Sequence, residues 1–373
     1  MDQLATGKVK VSQLRAVQIQ DLLGRDPIQL EMENIRQMLT GRVVMVTGGG
    51  GSIGSELCRQ IASFNPARLL VLDQSEVQLF PIEQELVELG YAGVILPLVA
   101  DVLDAARMAY VFERFKPEVI YHAAAHKHVP MMEQQPSEAI RNNSLGTMLL
   151  AELALKHGVD RIVMISTDKA INPTNVMGAT KRLAEVFVQA LHAANPGKTS
   201  FMAVRFGNVL GSSGSVIPIF QRQIAAGGPV KVTHPDVTRY FMTIPEAVGL
   251  VLQSSVQGEG GEIFVLDMGK PVKIVDLARD LIQLSGLRPG EDIEIEFTGL
   301  RPGEKLFEEL SHHGENIAPT KHAKIMRFVC QAQPVDGVRN FILELSRDAY
   351  IKESNELKIQ LKKAIPEYHP YLT

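Results

Sequence analysis

The feature that most constrains this chain is a regular alternation of short apolar runs with longer amphipathic ones, beginning at Arg42. Residues 42–47, 68–72, 94–99, 118–122, 161–165 and 201–206 are β-branched or apolar and read as buried strands. Between them, residues 52–64, 75–89, 104–114, 137–156 and 177–194 carry helical periodicity. Each intervening helix returns the chain to the same end of the sheet, so successive strands run parallel, and a parallel sheet needs helices on both faces. The expected fold is α/β, a doubly wound parallel sheet of the Rossmann type, with its ligand crevice at the carboxyl ends of the strands. After residue 207 the rhythm loosens. Residues 207–215 are rich in Gly and Ser, and Gly227-Gly228 marks another loop. A strand over 263–266 and helices over 244–257 and 274–284 remain legible there.

Composition narrows the function classes. The chain is 45% hydrophobic and 21% charged, with a net charge of −4 and both signs interspersed, which argues against nucleic-acid binding. No apolar stretch approaches the roughly 20 residues that span a bilayer. The two cysteines, Cys58 and Cys330, sit in no CxxC or Cys/His cluster, so no metal site is expected and Cys58 reads as a small core residue.

The first strand runs into Gly48-Gly-Gly-Gly51-Ser52-Ile53-Gly54, a GxxGxxG spacing that follows a strand and opens a helix. Gly48 suits a tight turn, Gly51 a close backbone approach to a pyrophosphate, and Gly54 close packing of helix on sheet. Ser52 and the Ile53 N–H stand at the helix start, where free N–H groups bind phosphate. Asp73 ends the second strand, placed to bond the adenosine ribose hydroxyls. A carboxylate there repels a 2′-phosphate, and residues 74–88 contain no Lys or Arg, so NAD is favoured over NADP. Asp101 and Val102 are candidates to touch adenine, although Asp101 equally suits a cap of the next helix. Ala123 and Ala124 are small enough to let a cofactor cross the sheet edge. The expected organisation is 1–40 as linker and helix, 41–206 as the NAD-binding domain, 207–335 as a smaller C-terminal substrate-binding lobe interleaved with the main sheet, and 336–373 as a helical tail.

The fifth strand ends in Ser166-Thr167-Asp168-Lys169, and Met177-Gly-Ala-Thr-Lys181 opens the following helix with Met177 and Lys181 on one face. The TGGGGSIG turn, Asp73, the AAA segment, STDKAINPTNVMGATKR, RFGNVLGSSGSVIP and GLRPGEK together resemble the UDP-N-acetylglucosamine 4,6-dehydratases of the extended short-chain dehydrogenase superfamily, which serve bacterial polysaccharide biosynthesis. The resemblance covers roughly residues 20–330. Most of that superfamily uses a Tyr-x-x-x-Lys pair, whereas Met177 stands at the tyrosine position here, and none of the seven tyrosines has a Lys four residues later. The resemblance, to a branch that carries Met, implies that Thr167 relays the proton of the sugar O4 while Lys181 supplies positive charge and holds the nicotinamide ribose. It further implies an internal redox cycle in a UDP-linked amino sugar. C4 is oxidised to a ketone, the acidified C5 proton is removed, water leaves from C6, and C6 is reduced as NAD is regenerated. Asp168 is the candidate acid and Lys169 the candidate base, the lysine pKa needing to be depressed for that role. Other dehydratases of the superfamily carry Glu where Lys169 stands.

On the substrate side, Asn208 is expected at the diphosphate or sugar, the segment through Val216 around the uridine, Arg239 and Arg301 on the diphosphate, Glu304 on the uridine ribose, and Lys127 beside the sugar. Two other readings stay open. One is a UDP-sugar 4-epimerase, which needs no acid–base pair at C5 and C6. The other is a non-catalytic NAD-binding scaffold that has lost its tyrosine. The resemblance also implies a homo-oligomer, and the stretch DLLGRDPIQL resembles the join after a membrane region in long family members, placing such a protein at the cytoplasmic face of the inner membrane.

Overall fold

The computed structural model of the chain describes residues 28–309 and 316–372. Helix α1, Met32–Leu39, precedes the first strand and buries Ile35 and Leu39, as the segment 1–40 leads one to expect for its last residues. Strands β1 Val43–Thr47, β2 Arg68–Asp73, β3 Ile95–Val99, β4 Val119–His122, β5 Arg161–Ile165 and β6 Ser200–Arg205 then alternate with helices α2 Ser52–Ala62, α3 Glu76–Glu88, α4 Ala105–Phe115, α5 Gly146–Lys156 and α6 Val176–Ala194. Next come α7 Val216–Ala225, α8 Ile244–Gln257, β7 Ile263–Leu266, α9 Ile274–Leu284, β8 Asn316–Pro319, β9 Ile325–Val329, α10 Val335–Asp348 and α11 Ser354–Ala364.

The main sheet has nine strands in the order β8-β9-β7-β6-β5-β4-β1-β2-β3. From β3 to β7 every pairing is parallel, while β9 and β8 close one edge with antiparallel pairs. The order 3-2-1-4-5-6 is that of the doubly wound fold, reversing between β1 and β4. Side chains alternate faces along each strand. Val44, Val46, Leu69 and Val71 therefore pack with α2, α3 and α8 in one core, and Met45, Leu70, Leu72 and Ile120 pack with α4, α5 and α6 in the other. Each such side chain, fully buried, contributes roughly 1.5–3 kcal/mol.

Two features depart from the sequence reading. The helix expected over 137–156 is broken: Pro136–Ala139 is one short turn, Ile140–Leu145 is a π-helix, and only then does α5 begin. Strands β8 and β9 were not expected. The helical tail packs on the body of the fold, Ile342, Leu357, Leu361 and Tyr368 entering the same core as α6. The region after residue 207 forms a third core, with Ile217, Phe220, Val230, Phe241, Leu281 and Ile282 among its members, and it sends β7 back into the main sheet. Among the described residues no helix is long and apolar enough to cross a membrane.

Candidate active site

At the carboxyl ends of the parallel strands lies a cavity of about 800 Å³. Every candidate cofactor residue lines it: Gly48, Gly51, Ser52, Ile53 and Gly54 after β1, Asp73 at β2, Asp101 and Val102 after β3, Ala123 and Ala124 after β4, and Lys181 on α6. Gly48 has φ +70°, a left-handed conformation that disfavours any side chain. A Cβ on Gly54 would overlap the Gly48 carbonyl oxygen, so the helix closes on the turn only because residue 54 is glycine, and a Cβ on Gly48 would overlap the backbone of Ala123 and Ala124. The first turn of α2 has Gly51 as its N-cap and no side-chain cap, which leaves its N–H groups for an anion. Asp73 accepts from the Gly50 N–H (3.0 Å) and the Ser75 N–H (2.9 Å), fixing the carboxylate at the β2 tip. Asp101 accepts from the Leu103 N–H (2.8 Å), and Asp104, not Asp101, caps α4. An uncapped helix start for a diphosphate, an anchored carboxylate for a ribose diol and small residues between them fit a dinucleotide.

Beneath this half, His122 is fully buried between the hydroxyls of Thr47 (2.7 Å) and Thr147 (2.9 Å). Burial, aided by the charge of Lys181, lowers its pKa to about 3, so the ring is neutral. The π-turn has a visible use. It presents Asn143, whose Oδ1 accepts from the His126 N–H (2.8 Å) and whose Nδ2 donates to the His126 carbonyl (3.0 Å) and the Thr180 hydroxyl (3.2 Å). Asn143 thus ties the loop after β4, including Lys127, to α6. Sequence periodicity passed over it because a helical pattern cannot show an extra residue in one turn.

The tip of β5 carries the candidate chemistry. Thr167 and Lys169 line the cavity. The Thr167 hydroxyl donates to Asp168 Oδ1 (2.9 Å), and Lys169 Nζ donates to the same oxygen (3.0 Å). Asp168 was expected to face a substrate, but it lies behind its two neighbours, 2% exposed, with Oδ2 packed toward Gly207. Lys169 Nζ also meets Glu308 Oε1 (3.4 Å) and Asn208 Oδ1 (3.4 Å). Burial works against the charged amine, but the Asp168 and Glu308 carboxylates outweigh it and hold the Lys169 pKa above the ordinary lysine range. The depressed pKa expected for a base is therefore corrected: in this arrangement the amine keeps its proton.

Met177 and Lys181 share the cavity-lining face of α6 and are 5% and 3% exposed. Burial lowers the Lys181 pKa to about 8, with the nearby Glu185 charge opposing. A Cβ on Gly178 would overlap the Lys169 carbonyl oxygen, so α6 presses directly on the β5 tip. Glu185 braces the arrangement from below. It accepts from the Ser166 hydroxyl (2.6 Å) and twice from Arg205 (2.8 and 2.7 Å), and it pairs with Arg182 (3.2 Å). These guanidiniums overcome burial and keep its carboxyl below the usual range. Removing one partner from such a buried cluster costs about 3–5 kcal/mol, because the remaining charge is stranded.

The lobe supplies Asn208, Val216, Arg239, Arg301 and Glu304 to the same cavity, with Lys127 at its exposed rim. Val216 is not in a wrapping loop but is the first residue of α7. Arg239 and Glu304, expected to serve separately, pair with each other (3.0 Å), and Glu304 also accepts from the Thr233 hydroxyl (3.0 Å). Glu308, which no sequence pattern singled out, is 7% exposed and lies between Lys169 and Arg239 (3.4 and 3.7 Å). The Ser213 N–H donates to Ser52 Oγ (3.1 Å), joining the lobe to the start of α2. Among the described residues no group of acids, histidines and cysteines could hold a metal ion.

A family model described as "Polysaccharide biosynthesis protein" matches residues 44–330. The capsular polysaccharide biosynthesis protein CapD of Staphylococcus aureus is 56% identical over 88% of this chain, and the match covers 54% of CapD, so the chain spans about half the length of that relative. A UDP-N-acetylglucosamine 4,6-dehydratase (inverting) of Campylobacter jejuni is 32% identical, the match covering 69% of this chain and 77% of the dehydratase. Among solved structures, Pen from Bacillus thuringiensis is similar with a TM-score of 0.72 and 31% identity, covering 82% of this chain and 98% of Pen.

Proposed function

The chain belongs to the polysaccharide biosynthesis protein family, and from that premise we propose that it is an NAD-dependent dehydratase of a UDP-N-acetyl-hexosamine, UDP-GlcNAc foremost, yielding the 4-keto-6-deoxy sugar. The observation that carries this reading is the β5 tip, where the Thr167 hydroxyl and the Lys169 amine line the junction of the dinucleotide half and the lobe of one cavity, both bonded to the Asp168 carboxylate behind them. The name borne by the Campylobacter relative supports the reaction class. When bound, NAD supplies the two-electron acceptor and donor that the cycle needs.

The chain's own residues do the rest. The Thr167 hydroxyl takes the O4 proton and is itself bonded to Asp168 Oδ1 (2.9 Å), which can accept the proton it releases. Lys181, on the cavity-lining face of α6, lends positive charge. Elimination needs a base at C5 and an acid at C6, yet Lys169 starts protonated. The O4 proton passed on by Thr167 makes Asp168 the acid and removes one of the two negative charges beside Lys169, so the amine releases its own proton to solvent and becomes the base. The amine then removes the C5 proton, and Asp168, which lies behind the cavity wall, returns its proton through the Thr167 hydroxyl to the departing C6 hydroxyl, which leaves as water. Arg239 and Arg301 meet the diphosphate.

Incubation with UDP-GlcNAc in heavy water tests the reading by mass spectrometry. The expected product is lighter by one water and carries deuterium at C5. A product of unchanged mass would make the protein an epimerase, and no product at all would leave the scaffold reading standing.

The Lys181 pKa of about 8 gives a pH test. Its charge is present below that pH and lost above it. Turnover is therefore expected to fall as pH rises through about 8, and a flat profile to well beyond that point would remove Lys181's charge from the reaction.

A further inference from the structure

The tail contributes a buried ion pair with no obvious stabilising purpose. Lys358 Nζ on α11 lies 2.8 Å from Glu133 Oε2, their side chains 2% and 4% exposed. Desolvating two charges usually offsets their attraction, so apolar residues of equal size would serve stability as well. What the pair does provide is a fixed carboxylate. Its other oxygen, Glu133 Oε1, accepts from the Val176 N–H at 2.6 Å. Val176 is the first residue of α6, directly before Met177 and five before Lys181.

Several elements meet at this point. Asn175 caps α6 through the Gly178 N–H (2.8 Å). Asn175 Nδ2 and the Thr174 hydroxyl both donate to the Gly303 carbonyl (3.1 and 3.0 Å), inside the loop that bears Arg301 and Glu304. A Cβ on Gly303 would meet Asn175 Cβ at 2.8 Å and Glu133 Cδ at 3.3 Å. The tail grips the same region again: the His369 N–H donates to the Pro173 carbonyl (2.8 Å), Arg182 pairs with Glu367 (3.0 Å), and Lys358 Nζ donates to the Tyr371 carbonyl (2.9 Å). Met131 and Met132, just before Glu133, line the cavity.

We propose that Glu133 is a positioning residue, held in place by Lys358, through which the C-terminal segment sets the first turn of α6 and hence the placement of Met177 and Lys181. The negative carboxylate also suits the positive end of the helix. The catalytic consequence rests on the dehydratase reading, and the positional one does not.

The test uses the full chain carrying Lys358→Met, Lys358→Arg or Glu133→Gln. Two readouts are taken: kcat and KM with UDP-GlcNAc, and amide hydrogen exchange across residues 171–181. Lys358→Met is expected to lower kcat about ten- to a hundredfold, as a misplaced reacting group does, with KM little changed. Exchange over 171–181 should quicken while the main sheet stays protected, and Lys358→Arg should restore much of both. If Lys358→Met does not fold, Glu133→Gln, which keeps an acceptor oxygen but not the charge, takes its place. Unchanged exchange and unchanged kcat in a folded variant overturn the proposal. So does a loss of activity that only tracks the folded fraction, with exchange rising everywhere alike. If the unaltered protein fails to turn over UDP-GlcNAc, the dehydratase reading falls while the exchange comparison still decides the positioning role.

Discussion

Lys169→Met is expected to abolish loss of water, lowering turnover by about 10²–10⁴, while leaving the oxidation at C4 in place. Methionine matches the length of the side chain and removes the amine. The hydroxyl of Thr167 and its bond to Asp168 Oδ1 are untouched, so the O4 proton still has its route. Asp168, however, loses the partner 3.0 Å away with which it would share the elimination. Rapid-mixing absorbance should then show reduced nicotinamide accumulating with UDP-GlcNAc, and heavy water should leave C5 unlabelled. Deuterium at C5 in this variant would take the base role from Lys169. The two carboxylates that meet this amine, Asp168 and Glu308, would lose a buried cation, so melting should be followed in parallel.

Thr167→Val is expected to fail one step sooner, again by about 10²–10⁴. Valine keeps the shape of threonine and deletes only the hydroxyl. Neither reduced nicotinamide nor C5 exchange should appear, whereas Thr167→Ser should recover much of the wild-type rate. The comparison bears on the missing tyrosine. Met177 has no proton to exchange, and it is 5% exposed beside Lys181, as a packing residue would be. If Thr167→Val turns over normally, the hydroxyl that serves O4 lies elsewhere. The Thr167 hydroxyl also accepts from the Lys169 N–H (3.3 Å), so the serine variant separates loss of the proton route from loss of that turn.

Much of the architecture was readable because buried parallel strands need unbroken apolar runs, and those runs locate β1 to β7 to within about two residues. The glycine turn was readable because Gly48 and Gly54 sit where no Cβ fits. Strands β8 and β9 escaped because they form an antiparallel pair containing Pro319 and Arg327, β8 at the sheet edge, with no helix between them to set a rhythm. The pairings inside the site escaped for another reason. Glu308 reaches Lys169, and Lys358 reaches Glu133, across more than a hundred residues of chain, and no local period records a contact of that kind. The Lys169 pKa was misjudged partly on the same ground, since Glu308 adds to the neighbouring Asp168 carboxylate in raising it.

The path of the chain after β6 has a mechanical consequence. It leaves the sheet for α7, returns through α8 and β7, leaves again for α9 and the loop of Arg301 and Glu304, and comes back as β8 and β9 before ending against α6. A cleft whose walls are laced together by so many crossings has no single hinge on which to swing. The parts left to yield to a bulky nucleotide are loops such as the one that reaches Ser52 through a single hydrogen bond from Ser213.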